Sequence, residues 1–460
     1  MLLALWLGGC GRAAPADPRP NVLLITIDTL RADRLGTYGY PLASSPRIDR
    51  LATSGVVFER AIAASSRTAP AHASIMTSRY TREHSIGHNN GGTKLIDETL
   101  ATRFRAGGYA TGAFVGNIML QARTGFDQGF DVFDAELPEA ESNRELVYER
   151  IASETSERAL AWLRSVRSEP FFLWVHYQDP HGPYTPPKGF RGRMKVLPAA
   201  GEEPLSVMPS EDGWGGIPNY QALEGLEFPS EYESLYADEI LYADHWVGRL
   251  LDAVDSHPGA RDTIVLLTAD HGESLGEMNH WFSHGFSTMP SLAHVPFVLR
   301  APGLPPGRRD TTVSHVDIAP TLLELAGLPL PEERSGIALG PVLRGQAAMP
   351  DRFVFSDIGR EVTAYRGATL VRASSLMDAW DPANQGALGP SVLWFHYFWR
   401  ADGSWIGVAE DPAQQASLRA YLATAAPMKN TPMLELDALE RRRLEVLGYG
   451  STAERIPAVD

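Results

Sequence analysis

An α/β fold built on a buried, mostly parallel sheet is predicted for this chain, and three observations predict it. Short apolar runs alternate with amphipathic stretches, the pattern of strands separated by the helices that cover them. Three of those runs are continuously apolar rather than alternating, which suits strands covered on both faces. All three lead into Asp or His residues. Ligands of open α/β sheets gather beyond the carboxyl ends of the strands, so that edge is where chemistry is expected.

Val22-Leu23-Leu24-Ile25-Thr26-Ile27 stops at Asp28, and Phe171-Phe172-Leu173-Trp174-Val175 stops at His176 and leads to Asp179-Pro180-His181. Thr263-Ile264-Val265-Leu266-Leu267-Thr268 leads through Ala269 to Asp270-His271-Gly272. A helix is expected over Leu235 to Val254, with Ile240, Ala243, Val247, Leu250 and Val254 on one face and Asp238, Asp244 and Arg249 elsewhere. Ile318 to Leu325, followed by Ala326-Gly327, reads as a helix with a glycine stop. Gly189 to Pro229, rich in Gly, Pro and Glu, reads as an irregular excursion over the sheet edge, either a solvated insertion or a carrier of substrate contacts. After about Gly345 come short strand-like pieces, Arg352 to Phe355 and Thr369 to Arg372. The expected division is a leader and linker over residues 1–20, a main domain over 21–345 and a small C-terminal α+β subdomain over 346–460.

The chain of 460 residues is 44% hydrophobic and 21% charged, the make-up of a globular protein with a large core. Lys plus Arg is 41 against 56 for Asp plus Glu, a formal net charge of −15. That balance argues against a nucleic-acid partner, which is normally met by a basic stripe. A small anion stays compatible, since a local site can be positive on a negative protein. The single cysteine, Cys10, excludes an intrachain disulfide. The apolar stretch Met1 to Leu7 followed by Leu7-Gly8-Gly9-Cys10 resembles a bacterial lipobox, and Ala13 to Pro20 reads as a linker. The expectation is lipidation at Cys10, membrane attachment by that anchor, and a place in the periplasm or cell envelope. The alternative is a plain hydrophobic N-terminus. No later segment has the roughly 18 uncharged apolar residues that a spanning helix needs.

Ser66-Arg67-Thr68-Ala69-Pro70-Ala71-His72 reads as a loop entering a helix, with Pro70 in the first turn where its missing N–H costs nothing. Thr68 would then stand at the positive end of a helix dipole, among N–H groups able to hold an anion. A threonine hydroxyl becomes a competent nucleophile when a divalent metal coordinates it. Taken alone, Thr68 reads equally as a helix cap.

Asn21-Val22-Leu23-Leu24-Ile25-Thr26-Ile27-Asp28-Thr29-Leu30-Arg31-Ala32-Asp33-Arg34-Leu35-Gly36 resembles the opening strand and metal loop of the sulfatase family. Ser45-Pro46-Arg47-Ile48-Asp49-Arg50-Leu51-Ala52, Asp179-Pro180-His181-Gly182-Pro183-Tyr184 and Thr268-Ala269-Asp270-His271-Gly272-Glu273-Ser274-Leu275-Gly276 resemble it too. So do Val295-Pro296-Phe297, Ser314-His315-Val316-Asp317-Ile318-Ala319-Pro320-Thr321 and the closing Leu444-Glu445-Val446-Leu447-Gly448-Tyr449. The resemblance implies an alkaline phosphatase-like sandwich, with a central mixed, mostly parallel sheet and a smaller C-terminal sheet. It implies one divalent metal ion (Zn, Mn, Ca or Mg) on Asp28, Asp270 and His271, with Thr68 as a fourth donor, a plausible donor set. His181 and His284 fall where the family binds the transferred anion or protonates the leaving oxygen, work for which an imidazole suits. His72 and Asn117 fall at positions of the anion-binding set. His176, His280 and His315 are further imidazoles, the candidates for a second metal site.

Departures from the family point to phosphorus. Family sulfatases convert Cys or Ser of a Cys/Ser-x-Pro-x-Arg motif to formylglycine, whereas Thr68-Ala69-Pro70-Ala71-His72 stands here. Threonine cannot form that aldehyde. The second Asp of the sulfatase pair is Thr29, and the lysine slots hold Gly116-Asn117 and His284. Asp, Thr, Asp and His resemble the metal set of phosphoethanolamine and lipoteichoic-acid transferases, which form a phospho-threonine. The expected reaction is attack by Thr68 on a phosphate ester, expected to be a diester, of a small molecule, glycan or lipid headgroup, as catalysed by a hydrolase or transferase. Two alternatives stand beside it: a sulfuric ester hydrolase working without formylglycine, and a non-catalytic lipoprotein that binds anionic glycans.

Overall fold

The computed structural model describes residues 19–89, 93–137, 150–166, 169–209, 212–257, 263–375, 392–400 and 405–424. Cys10 and the Leu444–Tyr449 motif lie outside them. In chain order the strands begin with β1 (Val22–Ile27), β2 (Val56–Ile62), β3 (Ala110–Val115), β4 (Val132–Asp134) and β5 (Phe171–Tyr177). A short parallel pair follows, β6 (Val207–Met208) with β7 (Ile217–Pro218), and then β8 (Ile264–Ala269). Next come the small pair β9 (Ser274–Leu275) and β10 (Trp281–Ser283), and β11 (His294–Val295), β12 (Phe297–Arg300) and β13 (Gly307–Ser314).

Nine of these form the central sheet, in the order β11-β2-β12-β8-β1-β5-β3-β4, with β13 also pairing β2. β1 lies between β5 and β8 and is parallel to both. β12 runs antiparallel to β8 and to β2, so two reversals return β2 to the direction of β1. The carboxyl ends of β1, β2, β5 and β8 therefore open on one edge. Every residue of β1, β5 and β8 is buried, as continuous apolar runs require, and each large aliphatic side chain contributes about 1.5–3 kcal/mol. The register sets Ile27 opposite both Tyr177 and Ala269, which brings the next residues, Asp28 and Asp270, together.

The second run continues two residues further than the apolar pattern indicated. β5 carries on through His176 and Tyr177, because the parallel ladder to Thr26 and Ile27 holds polar and aromatic residues as firmly as apolar ones. The long helix starts at Pro229 and ends at Asp255. Its expected apolar face is buried, and so are Asp238 and Asp244, placed by periodicity on another face. Backbone donors explain this: Gly192 and Met194 donate N–H to Asp238, and Arg47 and Ile48 to Asp244. The helix Ile318–Leu325 has the expected bounds. The described residues of 189–229 have little regular structure beyond β6, β7 and a short 3₁₀ turn, Asn219–Gln221, and they pack over β10 through Gln221, whose Nε2–H donates to Phe282 O at 2.9 Å.

Beyond this lies a five-stranded antiparallel sheet, β14 (Val354–Asp357), β15 (Glu361–Arg366), β16 (Thr369–Ser375), β17 (Val392–Trp399) and β18 (Trp405–Gly407), in that order. The helix Pro412–Thr424 follows it in the chain, and its buried Leu418 and Tyr421 join Val362, Ala364, Val371 and Ala373 in one core. A buried ion pair fastens this sheet to the main domain: Arg82 Nε donates to Asp357 Oδ2 at 2.6 Å.

Candidate active site

Asp28, Thr68, Asp270 and His271 converge at the open edge of the central sheet, fully buried. His271 Nε2 lies 3.4 Å from Thr68 Oγ1, 3.6 Å from Asp270 Oδ2 and 3.9 Å from Asp28 Oδ1. Each side chain is oriented from behind. His271 donates Nδ1–H to Gly272 O at 2.9 Å, which leaves the lone pair on Nε2 to face the cluster. Asp270 Oδ1 accepts N–H from His271 and from Thr29, and Asp28 Oδ2 accepts from Asn117 Nδ2 at 2.8 Å. Thr29 makes its bond from a left-handed backbone, φ 54°, which costs a β-branched residue on the order of 1–3 kcal/mol.

Two carboxylate oxygens, Asp28 Oδ1 and Asp270 Oδ2, are buried without any hydrogen-bond partner. Burial raises the pKa of both acids; that of Asp270 is pushed up to about 7, with the charge of Asp28 adding to the effect. Burial also lowers His271 to about 4, so its imidazole is neutral. Two orphaned carboxylate oxygens beside a bare imidazole nitrogen and a hydroxyl form a donor set that fits a divalent cation. Asp28, Asp270 and His271 would hold it, with Thr68 as the fourth donor.

Thr68 opens the helix Thr68–Thr77, with Arg67 as its cap. The helix end offers fewer N–H donors than expected. Ala69 N–H is taken by Asn89 Oδ1 at 2.9 Å, and Pro70 has no N–H. Ala71 N–H is engaged within the helix turn.

Two imidazoles border the cluster. The His284 ring lies 4.5 Å from that of His271 and 5.0 Å from that of His181. His181 donates Nδ1–H to Gly182 O, and His284 donates Nδ1–H to Glu273 Oε1 at 3.1 Å. Burial holds both rings down at about 4 and raises Glu273 to about 7.

His72 and Asn117 are placed differently from the substrate-binding expectation. Both nitrogens of His72 are engaged inside the protein, with Thr68 O at 2.9 Å and Thr26 Oγ1 at 3.2 Å. Asn117 gives its amide to Asp28 and its carbonyl oxygen to Met119 N. Side chains this short reach the carboxylate and the helix carbonyl, where the family's longer cationic side chains would reach an anion. Of the further imidazoles, His315 has both nitrogens on backbone groups, and His280 stacks on Phe286 at 3.8 Å with Nδ1 on Asp212 O. Motif reading overlooked Glu273 and Asn89; the Glu273 spacing from Asp270 was visible, but its pairing with His284 was not.

These residues define a metal-fitted hydrolytic centre at the edge of a mostly parallel sheet. The sulfatase family model matches residues 20–328, and the chain belongs to the sulfatase family. A Delta 4,5-hexuronate-2-O-sulfatase of Bacteroides thetaiotaomicron is 27% identical over 376 residues, 73% of this chain and 74% of the relative. An arylsulfatase of Clostridium perfringens is 29% identical over 385 residues, 70% of this chain and 78% of the relative. The crystal structure of a phosphonate monoester hydrolase of Agrobacterium radiobacter superposes with a TM-score of 0.65 at 22% identity, covering 88% of this chain and 94% of that one, a likeness of fold. The expected alkaline phosphatase-like sandwich is the fold observed. The protein is a hydrolase acting on sulfuric or phosphoric esters, in a family of metal-dependent enzymes.

Proposed function

We propose that this enzyme cleaves phosphate esters, diesters in particular, through a covalent intermediate on Thr68. The observation that carries the reading is the hydroxyl of Thr68, 3.4 Å from His271 Nε2, a nitrogen that also lies within 4 Å of the two orphaned carboxylate oxygens. A divalent ion bound there would lower the pKa of the hydroxyl and offset charge on the transferred group. The bond from Thr68 Oγ to phosphorus forms as the bond to the leaving oxygen breaks. The pair Glu273–His284 is the proton source for the leaving oxygen: a carboxyl raised to about 7 by burial keeps an exchangeable proton on the pair near neutrality. Water, or an acceptor alcohol, then displaces phosphorus from Thr68.

The absence of an aldehyde supports phosphorus over sulfur. Formylglycine expels sulfate by breakdown of a hemiacetal, and threonine has no such exit. His181 and His284, which border the cluster, are both held neutral by burial, which suits a singly charged diester better than a dianionic monoester.

Sulfate ester hydrolysis is the second reading, favoured by the arylsulfatase and hexuronate sulfatase relatives. The deciding experiment compares kcat/KM for matched aryl phosphodiester, phosphate and sulfate substrates, with mass spectrometry for phospho-Thr68. Preference for the diester together with phospho-Thr68 is expected. Preference for the sulfate with no phospho-Thr68 would overturn the proposal. We also propose a cell-envelope location through a lipid on Cys10, on the strength of Leu7-Gly8-Gly9-Cys10.

A further inference from the structure

The rim of the active site carries a row of rings and a guanidinium that the chemistry above leaves unused. The side chains of Asp28, Asp270 and His271 are wholly buried, whereas that of His284 keeps 7% exposure. Substrate therefore reaches Thr68 past His284, and the residues around His284 border the leaving group.

Arg67 fixes which residues those are. It precedes Thr68, and its guanidinium donates to Gly285 O at 3.2 Å and to Ile358 O at 3.2 Å. The segment after His284 and the turn between β14 and β15 are thereby both held against the start of the Thr68 helix. Arg360 sits in that turn, exposed, and donates Nη2–H to Phe286 O at 3.2 Å. The acids on either side of it are engaged elsewhere, Asp357 with Arg82 and Glu361 with Ser287 and Thr288. Among the described residues Arg360 bonds to that one carbonyl and to no carboxylate, so its charge is available to an anion.

Phe286 also begins the row of rings. His280 stacks on it at 3.8 Å, and Trp214 meets His280 edge-on at 5.1 Å. Trp214 is 55% exposed, yet its position is fixed. Gly215 N–H donates to Asn279 O at 2.9 Å, Trp281 N–H to Gly213 O at 3.0 Å, and His280 Nδ1–H to Asp212 O at 2.7 Å. An indole held in water by its backbone is a ready surface for a flat apolar face.

We infer that Arg360 and Trp214, joined through Phe286 and His280, form the leaving-group subsite, and that the alcohol it takes has a flat ring and a negative charge of its own. The guanidinium meets that charge in a charge-assisted hydrogen bond, and the indole covers the ring. The inference rests on Thr68 as the reacting group of the proposed function, but not on which ester is cleaved.

The test compares two aryl esters on the full-length protein, phosphodiesters or sulfates according to which it turns over. Their phenols carry either a CH₂COO⁻ or a CH₂CONH₂ group and have nearly equal acidity, so the charge alone differs. Wild type is expected to favour the carboxylate in kcat/KM by about fivefold to tenfold. Arg360→Gln should lose that preference and Arg360→Lys keep part of it, whereas a packing defect would slow both esters alike. Trp214→Ala should raise KM for both by about fivefold. Equal kcat/KM in wild type, a preference kept in full by Arg360→Gln, or an unmoved KM in Trp214→Ala overturns the inference, whichever ester is cleaved. Should neither ester be turned over, the proposed function fails, and calorimetry with the two free phenols reads the same preference as an affinity ratio. A ratio of one there overturns the inference as well.

Discussion

Glu273 Oε1 accepts the Nδ1–H of His284 at 3.1 Å, while its Oε2 accepts the hydroxyl of Tyr184 at 3.2 Å. The carboxylate thus sets the tautomer and the direction of the imidazole nearest His271. Glu273→Gln keeps an acceptor of the same shape but removes the exchangeable proton. The expected result is a fall in kcat of about ten- to a hundredfold, steeper for esters with poor leaving groups. Rates measured across phenols of graded acidity check this. An equal loss on all of them would make Glu273 a packing residue only.

Thr68→Ala should lower turnover by about a thousandfold or more. Metal analysis of the same preparation should still find ion, since Asp28, Asp270 and His271 remain. Thr68→Ser should recover part of the rate, because it restores the hydroxyl at the first turn of the helix.

Asp270→Asn should lower the metal content, and stoichiometric ion in an Asp28/Asp270 double variant would move the site elsewhere. Its effect on the metal-free protein is the reverse of an ordinary core lesion. An asparagine oxygen can still accept from Thr29 and His271 N–H, and the like charge opposing Asp28 is gone. Chelator-treated Asp270→Asn is expected to melt no lower than chelator-treated wild type in calorimetry.

His294 and His315 are buried imidazoles held at about 4 and about 3 by desolvation. Both lie below the ordinary 6.5, so between these values the unfolded chain binds more protons. Stability should be full above pH 6.5 and fall as the pH drops through the range towards 4, by on the order of a few kcal/mol. Denaturant midpoints from pH 8 to 4 measure this. The slope should flatten in His315→Gln, which replaces the titrating ring with a neutral amide.

Expressed with a complete leader, the wild type should fractionate with membranes and Cys10→Ser should not. Identical soluble fractionation of the two forms would exclude the lipid anchor.

Much of this protein was legible in one dimension. Continuous apolar runs ending at Asp28 and at Ala269-Asp270-His271 specify buried parallel strands and the edge where their acids meet, because side-chain burial alone dictates such patterns. The order of the motifs was sufficient to identify the family and to pick out Thr68 as a helix-opening residue. What sequence could not supply was pairing across distance. His284 meets Glu273, and Asn117 meets Asp28, 89 positions away, only because the sheet stacks their loops. The role of His72 changed for the same reason: a motif position denotes proximity to the metal loop, whereas the partners within 3.2 Å decide whether a ring can face a substrate. Trp174, His176 and His72 all meet at the single hydroxyl oxygen of Thr26. Strand register and helix packing bring those atoms together, and local sequence carries no record of that distance.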